Sequence, residues 1–177
     1  MLAKTGRADF ADLHRLTPDS EIVQELKVLT RDQDALVQMQ TRLVNQLTAC
    51  LKDYYPVALR LFAKLSQRSA LIFLQTYPTP LDAMAASCEQ ITLVLKNAGH
   101  TTAEKVAPKI FETLHQPHLT ANALITCTKS RLMLAFDSQL LVLIEQIAAY
   151  DKEIETLFLT HPDLSALCTL FEAPKSR

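Results

Sequence analysis

The chain has 177 residues, of which 49% are hydrophobic and 21% are charged, and its formal net charge is −1. This apolar content is typical of a folded protein and excludes wholesale disorder. The near-neutral charge gives no support for nucleic-acid binding, because a stand-alone nucleic-acid-binding domain usually carries a basic excess.

Glycine and proline usage predicts an all-α fold. Gly6 and Gly99 are the only glycines, so little of the chain suits hairpin turns or phosphate-binding loops. No apolar run reaches the roughly 18 residues of a membrane span, and the N-terminus lacks the apolar core of a secretion signal. We therefore expect a cytoplasmic protein with no membrane contact. The four cysteines are spaced too widely for a zinc site, so buried free thiols are expected.

The first long element is a helix within residues 17–57. Thr17 and Pro18 read as its N-cap and first helical position, and Pro56 ends it. Residues spaced alternately by four and three form one apolar seam: Ile22, Leu26, Leu29, Gln33, Leu36, Gln40, Leu43, Leu47, Cys50 and Tyr54. Gln33 and Gln40 interrupt that seam. They are either solvated at its edge or fix the register of the contact.

A small helical subdomain is expected over residues 58–118. The pattern predicts one helix from Leu59 to Tyr77, and Gly99 marks a helix end. Two capping boxes are predicted, Ser87 with Gln90 and Thr101 with Glu104. On the helix predicted from Leu59 to Tyr77, basic residues recur every four positions and so form a ridge on one face: Arg60, Lys64 and Arg68.

The second long helix is expected within residues 119–160. Its seam consists of Met133, Phe136, Leu140, Leu143, Ile147, Tyr150, Ile154 and Leu157. Two helices of this length cannot bury their seams alone. They should pack on each other as an antiparallel pair, on a second copy of the chain, or both, so a homo-oligomer is expected.

Other polar residues carry weaker signals. His115 and His118 are separated by Pro117 and have no third ligand nearby, so two surface histidines are favoured over a metal site. Arg31 and Arg42 flank the first seam. They are either interhelical salt-bridge partners or phosphate contacts.

Several segments resemble the DEDD-type insertion-sequence transposases, the bridge-RNA-guided recombinases often called the "one-ten" family. Lys4-Thr5-Gly6-Arg7-Ala8-Asp9 is similar to the family signature Lys-Thr-Asp-Arg-x-Asp. The resemblance continues through four further stretches: Thr41 to Leu47, Tyr54-Tyr55-Pro56, Leu74 to Pro80, and His161-Pro162-Asp163.

The resemblance implies a domain order. Residues 1–16 would be the end of a RuvC-like catalytic domain, residues 17–160 the helical coiled-coil region, and residues 161–177 the start of a C-terminal domain. In the intact family, four acidic residues hold Mg²⁺ for phosphoryl transfer, and the partners are DNA and a guide RNA. The nucleic-acid contacts that we predict are Lys4, Arg7, Arg31, Arg42, Arg60, Lys64 and Arg68.

The chain departs from the family pattern at its catalytic residues. Gly6 stands where the family has an acid, which leaves Asp9 as the one matching carboxylate. One carboxylate cannot build a two-metal site, so Asp9 would bind metal only if it were complemented. No cofactor is expected for this chain. We expect a truncated, inactive transposase that keeps the dimerising and nucleic-acid-binding region. The alternative is a helical coiled-coil interaction protein with no nucleic-acid role.

Overall fold

The computed structural model describes residues 20–117 and 121–160, and the folded part of these ranges is helical. Within them lie seven α-helices and no strand: α1 (Glu21–Tyr54), α2 (Ala58–Leu61), α3 (Arg68–Thr76), α4 (Pro80–Ala85), α5 (Cys88–Asn97), α6 (Ala103–His115) and α7 (Ala123–Thr160). The predicted all-α fold with two long helices is confirmed.

The described residues fall into two compact units. Residues 20–31 and 153–160 belong to one unit, and the described part of Asp32–Lys152 forms the other. The second unit contains helices α2 to α6 and the parts of α1 and α7 that lie within Asp32–Lys152. The predicted domain boundaries stay predictions.

The seam of α1 lies where the heptad pattern predicts it. Every predicted seam residue is at least partly buried, whereas most other positions of the 34-residue helix are exposed. Leu47 and Tyr54 are fully buried near its end, where the Tyr54 hydroxyl donates to the carbonyl of Pro78 at 3.0 Å. The helix begins at Glu21, and the backbone N–H of Val23 donates to Ser20 Oγ at 3.4 Å. The expected cap at Thr17 and Pro18 lies outside the described residues.

Within Asp32–Lys152, helices α1 and α7 run antiparallel. Lys129 near the start of α7 pairs with Asp53 near the end of α1, at 2.6 Å. Gln33 near the start of α1 donates to Asp151 near the end of α7. Seam residues of both helices, among them Leu47 and Met133, belong to one buried core cluster, which agrees with the first of the predicted arrangements. The Gln33 contact lies at an exposed position of the hairpin, so it agrees with both interpretations of the seam glutamines, solvation at the edge and a role in register.

The single helix predicted from Leu59 to Tyr77 is wrong. The chain leaves the helical conformation at Phe62, whose φ of −128° and ψ of 136° are extended, and it becomes helical again only at Arg68. This break lets the Phe62 ring pack edge-on against Phe73, with ring centroids 5.3 Å apart. Burial of an aromatic side chain outweighs the local helix preference here. Lys64 lies in the non-helical segment, so the basic ridge does not exist as one helix face.

One of the two predicted capping boxes is present. Ser87 Oγ accepts from the N–H of Gln90 at 3.2 Å, and the Gln90 side chain accepts from the N–H of Ser87 at 2.9 Å. Gly99 ends α5 with a φ of +81°, as predicted.

The box predicted at Thr101 is wrong, because α6 begins one residue later. Thr102 is its N-cap and makes no side-chain cap hydrogen bond. Glu104, the other predicted member of the box, pairs instead with Lys96 at 2.6 Å.

Helix α7 bears on the expectation about membrane spans. Among the described residues it is the one helix long and apolar enough to cross a membrane, by length and composition alone. One such helix is a weak indication, and a minority of its apolar stretch is buried. The cysteine prediction holds for Cys50, which is buried, but Cys127 is exposed. Cys168 lies outside the described residues.

Candidate nucleic-acid interface

Part of the predicted interface lies outside the described residues. Lys4 and Arg7 fall there, as do Gly6 and the acidic Asp9. Arg31 and Arg42 are described, and both are exposed on α1. A guanidinium on an exposed helix face can reach a phosphate without losing a contact in the core.

The three central cations have different surroundings, because the helix expected to hold them is broken. Arg60, at the end of α2, donates to Gln116 Oε1 at 3.2 Å. Lys64 is exposed in the segment between α2 and α3. Arg68 is the first residue of α3, and its guanidinium pairs with Glu145 of α7 at 3.0 Å.

The Arg68–Glu145 salt bridge contributes little to the stability of the fold. The two side chains are 57% and 62% exposed. Exposed ion pairs contribute about 0.2–1 kcal/mol, because water screens the charges and two long side chains must be ordered. An incoming phosphate could therefore displace Glu145 from Arg68 at little cost.

The part of the chain that the structure describes contains no cluster of side chains that could hold a metal ion. No group of three or more His, Cys, Asp or Glu side chains comes together there. His115 is exposed, and its Nδ1 lies 2.8 Å from the carbonyl of Phe111. That environment agrees with a surface histidine, whereas His118 lies outside the described residues.

Asp137 of α7 is a polar residue that the sequence interpretation missed. Its side chain is fully buried, and neither carboxylate oxygen has a hydrogen-bond partner of good geometry among the described residues. Burial raises the pKa of Asp137 to about 7, and an interaction with the Gln75 side chain opposes that rise in part. The signal was available, since Asp137 lies four residues after the seam residue Met133 and three before Leu140.

The described geometry defines an architectural class of protein: a helical hairpin with exposed cations and, in residues 20–117 and 121–160, no metal cluster.

Residues 1–56 match a family model described as a transposase, of the DEDD type and the IS110 group. The chain is 31% identical over 182 aligned residues to the "Mini-circle putative transposase for IS117" of Streptomyces coelicolor. No solved structure matches the chain. Together the two matches support a DEDD-type transposase of an insertion sequence.

The alignment with the Streptomyces coelicolor protein covers 94% of this chain and 42% of that relative. The chain thus spans less than half the length of the curated relative it matches. The similarity extends well beyond residues 1–56 and includes both long helices, so the hairpin belongs to the part shared with that transposase.

Proposed function

We propose that this chain supplies the architectural, nucleic-acid-contacting part of an insertion-sequence transposase that acts in the cytoplasm. The observation that supports this function is sequence identity to a transposase over 94% of the chain, because it includes the whole helical hairpin. The partners would be the DNA of the element and a guide RNA. The chain would contact both through exposed cations rather than through a strongly basic domain.

The cations proposed for this role are Lys4, Arg7, Arg31, Arg42, Arg60, Lys64 and Arg68. The described members are exposed, and Arg60 and Arg68 make contacts with neutral or exposed partners that can be exchanged. Phosphate contacts of this kind fix orientation without reading sequence. Binding should therefore be modest and should weaken steeply with salt.

Fluorescence anisotropy with a labelled DNA duplex and a structured RNA tests this proposal. We expect the affinity to fall as salt is raised from 50 to about 200 mM, since each phosphate contact releases counterions. Arg42→Gln should weaken binding, whereas Arg131→Gln, an exposed arginine outside the proposed set, is the matched control. Salt-independent binding would exclude phosphate contacts. Absence of binding to both probes would leave the helical interaction protein as the better function.

Self-association is the second part of the proposal. The seams within Asp32–Lys152 are used by the hairpin itself, so a second copy needs another surface. Such a surface, which we call the outer stripe, consists of exposed α7 residues spaced alternately by three and four: Ile125, Thr128, Leu132, Ala135, Gln139, Val142, Gln146 and Ala149. It is uncharged throughout. It extends about 36 Å at 1.5 Å per residue.

An uncharged heptad stripe is complementary to itself, because no like charges meet when two copies pair about a twofold axis. Leu132 and Val142 are 44% and 58% exposed, and exposed apolar residues that form a contiguous surface, unlike scattered ones, mark an interaction site. We expect a dimer or larger species by light scattering at micromolar concentration. The double variant Leu132→Glu, Val142→Glu should dissociate it, whereas Val37→Glu on α1 should not. A monomeric wild-type chain would refute this part of the proposal.

For catalysis, we propose that this chain alone does not hold a complete two-metal site. Asp9 is the one carboxylate that matches the family signature, and Gly6 occupies the preceding acidic position. Mg²⁺ would supply charge stabilisation at the transferring phosphoryl group in an intact family member. A strand-cleavage assay with Mg²⁺ should give no product with this chain. Product that is lost in Asp9→Ala would overturn this proposal.

A further inference from the structure

The outer stripe of α7 has two charges of opposite sign along one flank. Arg131 directly precedes Leu132 of the stripe, and Glu145 directly precedes Gln146, so both charges lie on the same side of it, two heptads apart. Both side chains are exposed. Glu145 pairs with Arg68 of the same chain, whereas Arg131 has no ion-pair partner among the described residues. The flank therefore presents an unpaired cation and a carboxylate at a fixed distance from it.

The apolar residues of the stripe are arranged symmetrically about position 137. Leu132 and Val142 lie five positions on either side of it, and Ile125 and Ala149 lie twelve. Ile125, Leu132 and Val142 are large apolar side chains that are 42%, 44% and 58% exposed. A twofold axis perpendicular to α7 at this level would set the stripe of a second copy against the first, with the two helices antiparallel.

An antiparallel pair in this register satisfies the apolar and the charged residues together. In such a pair, each a position of one heptad stripe packs in a layer with a d position of the other. Leu132 then packs against the partner's Val142, and the same contact recurs on the other side of the axis. On the flank, Arg131 lies opposite the partner's Glu145. A carboxylate has about four acceptor sites on its two oxygens, so Glu145 can bind Arg68 and the partner's Arg131 at once.

The other arrangements of two stripes leave the charges unmatched. A parallel pair would bring Leu132 against the partner's Leu132, but it would place Arg131 opposite the partner's Phe136. If the antiparallel pair slid by one heptad in one direction, Arg131 would meet the partner's Lys152, which repels it. A slide in the other direction would place Arg131 opposite the partner's Ser138. The charge pattern thus favours one orientation and one register.

We propose that two copies of the chain pair through the outer stripes of antiparallel α7 helices, with the twofold axis at the level of position 137 and reciprocal ion pairs between Arg131 and the partner's Glu145. The inference rests on the proposed self-association and adds its orientation and its register. Exposed ion pairs contribute little affinity. Their effect here is selection, because the other registers leave a charge unmatched or bring like charges together.

Distances between spin labels on the full 177-residue chain test the orientation. The label is attached to the exposed native Cys127 after the substitutions Cys88→Ser and Cys168→Ser, and the buried Cys50 is retained. Cys127 lies ten positions before the axis. Double electron–electron resonance should therefore give about 30 Å between the two labels along the helix, at 1.5 Å per residue. A parallel dimer would place the labels side by side, at roughly the 8–10 Å spacing of packed helices plus the label linkers.

A second label site determines the register. Ala148→Cys, combined with Cys127→Ser, places the label at an exposed position eleven residues after the axis. The expected distance between the two labels is about 33 Å along the helix. A slide by one heptad would lengthen one of the two distances and shorten the other, each by about 10 Å. The two measurements together thus separate the proposed register from its neighbours.

Charge reversal tests the ion pairs. Arg131→Glu brings two carboxylates together at each flank of the dimer, and Glu145→Lys brings two cations together. Sedimentation equilibrium should show that each variant alone dissociates about tenfold more readily, since two attractions become two repulsions. An equimolar mixture of the two variants should recover the affinity, because opposite charges meet again in the mixed dimer. Arg68 cannot produce this recovery, since it lies in the same chain as Glu145.

Three further variants control for general electrostatics and for folding. Lys105→Glu and Glu112→Lys, at exposed positions of α6, are the matched charge reversals and should leave the dimer unchanged, alone or mixed. Arg131→Gln adds no repulsion and should remain a dimer at micromolar concentration. Circular dichroism checks that each variant is folded.

The outcomes separate the register from self-association itself. Distances near 30 and 33 Å, with recovery on mixing, support the antiparallel pair. A dimer whose labels lie side by side, or whose affinity is not recovered on mixing, overturns the proposed register and leaves self-association intact. A monomeric wild-type chain overturns both. Nucleic-acid binding does not enter these measurements, so they decide the register whether or not the chain binds DNA or RNA.

Discussion

Replacement of Asp137 by asparagine should stabilise the folded chain at neutral and alkaline pH. The wild-type carboxyl is fully buried without a well-formed hydrogen bond, and burial raises its pKa from 3.8 to about 7. At 1.36 kcal/mol per pH unit, this rise corresponds to roughly 4 kcal/mol of preference for the protonated form in the folded state. That energy is a large fraction of the about 5–15 kcal/mol that stabilises a typical domain.

The direction of the pH dependence follows from the raised pKa. Below about pH 4, the carboxyl is protonated in both the folded and the unfolded chain, so it does not change the free energy of unfolding. Between about pH 4 and pH 7, the unfolded chain ionises while the folded chain stays protonated. The free energy of unfolding then falls by up to about 1.4 kcal/mol per pH unit. Above about pH 7, the loss stays constant, because both states are ionised.

Urea unfolding followed by circular dichroism from pH 5 to pH 9 measures this contribution. The difference in unfolding free energy between Asp137→Asn and wild type should grow by roughly 2–3 kcal/mol from pH 5 to pH 8. The difference isolates Asp137, since the other titrating groups are common to both proteins. Asp34→Asn, at an exposed position of α1, is the control for the same chemical change outside the core. Parallel pH profiles for Asp137→Asn and wild type would refute the burial argument.

Three further predictions test the packing. Leu47→Ala should lower the free energy of unfolding by about 2–5 kcal/mol in urea titrations, because Leu47 is fully buried, and a loss below 1 kcal/mol would contradict its place in the seam. Gly99→Ala should cost about 1–2 kcal/mol in the same assay through backbone strain alone, since φ is +81° and no atom lies within 4 Å of an added Cβ; an unchanged stability would argue against the left-handed conformation. Cys127→Ser should abolish a rapid reaction of the chain with a maleimide. Cys50→Ser should leave that reaction unchanged, because Cys50 is buried and burial raises the pKa of its thiol. If the two variants lost the rapid reaction equally, the difference in exposure would be refuted.

The heptad pattern was sufficient to predict the two long helices, because a repeat sustained from Ile22 to Tyr54 has one low-energy solution, a helix with a continuous buried seam. The same reasoning failed over the shorter stretch from Leu59 to Tyr77. There, tertiary packing of Phe62 against Phe73 decided the backbone, and local spacing contains no information about that contact.

Helix α7 has an unusual distribution of polarity, and this distribution constrains what surrounds it. Its packed face contains a buried carboxyl, Asp137, whereas its exposed face contains Leu132 and Val142 in an uncharged stripe. The hydrophobic effect alone would favour the reverse arrangement for an isolated hairpin. An uncharged outer face reduces the stability of the monomer little, because single exposed apolar residues are tolerated. As a continuous heptad stripe, however, it provides a pairing surface that the hairpin itself does not use. The polarity of α7 therefore supports the proposal of an assembly in which its outer face is covered as well as its seam.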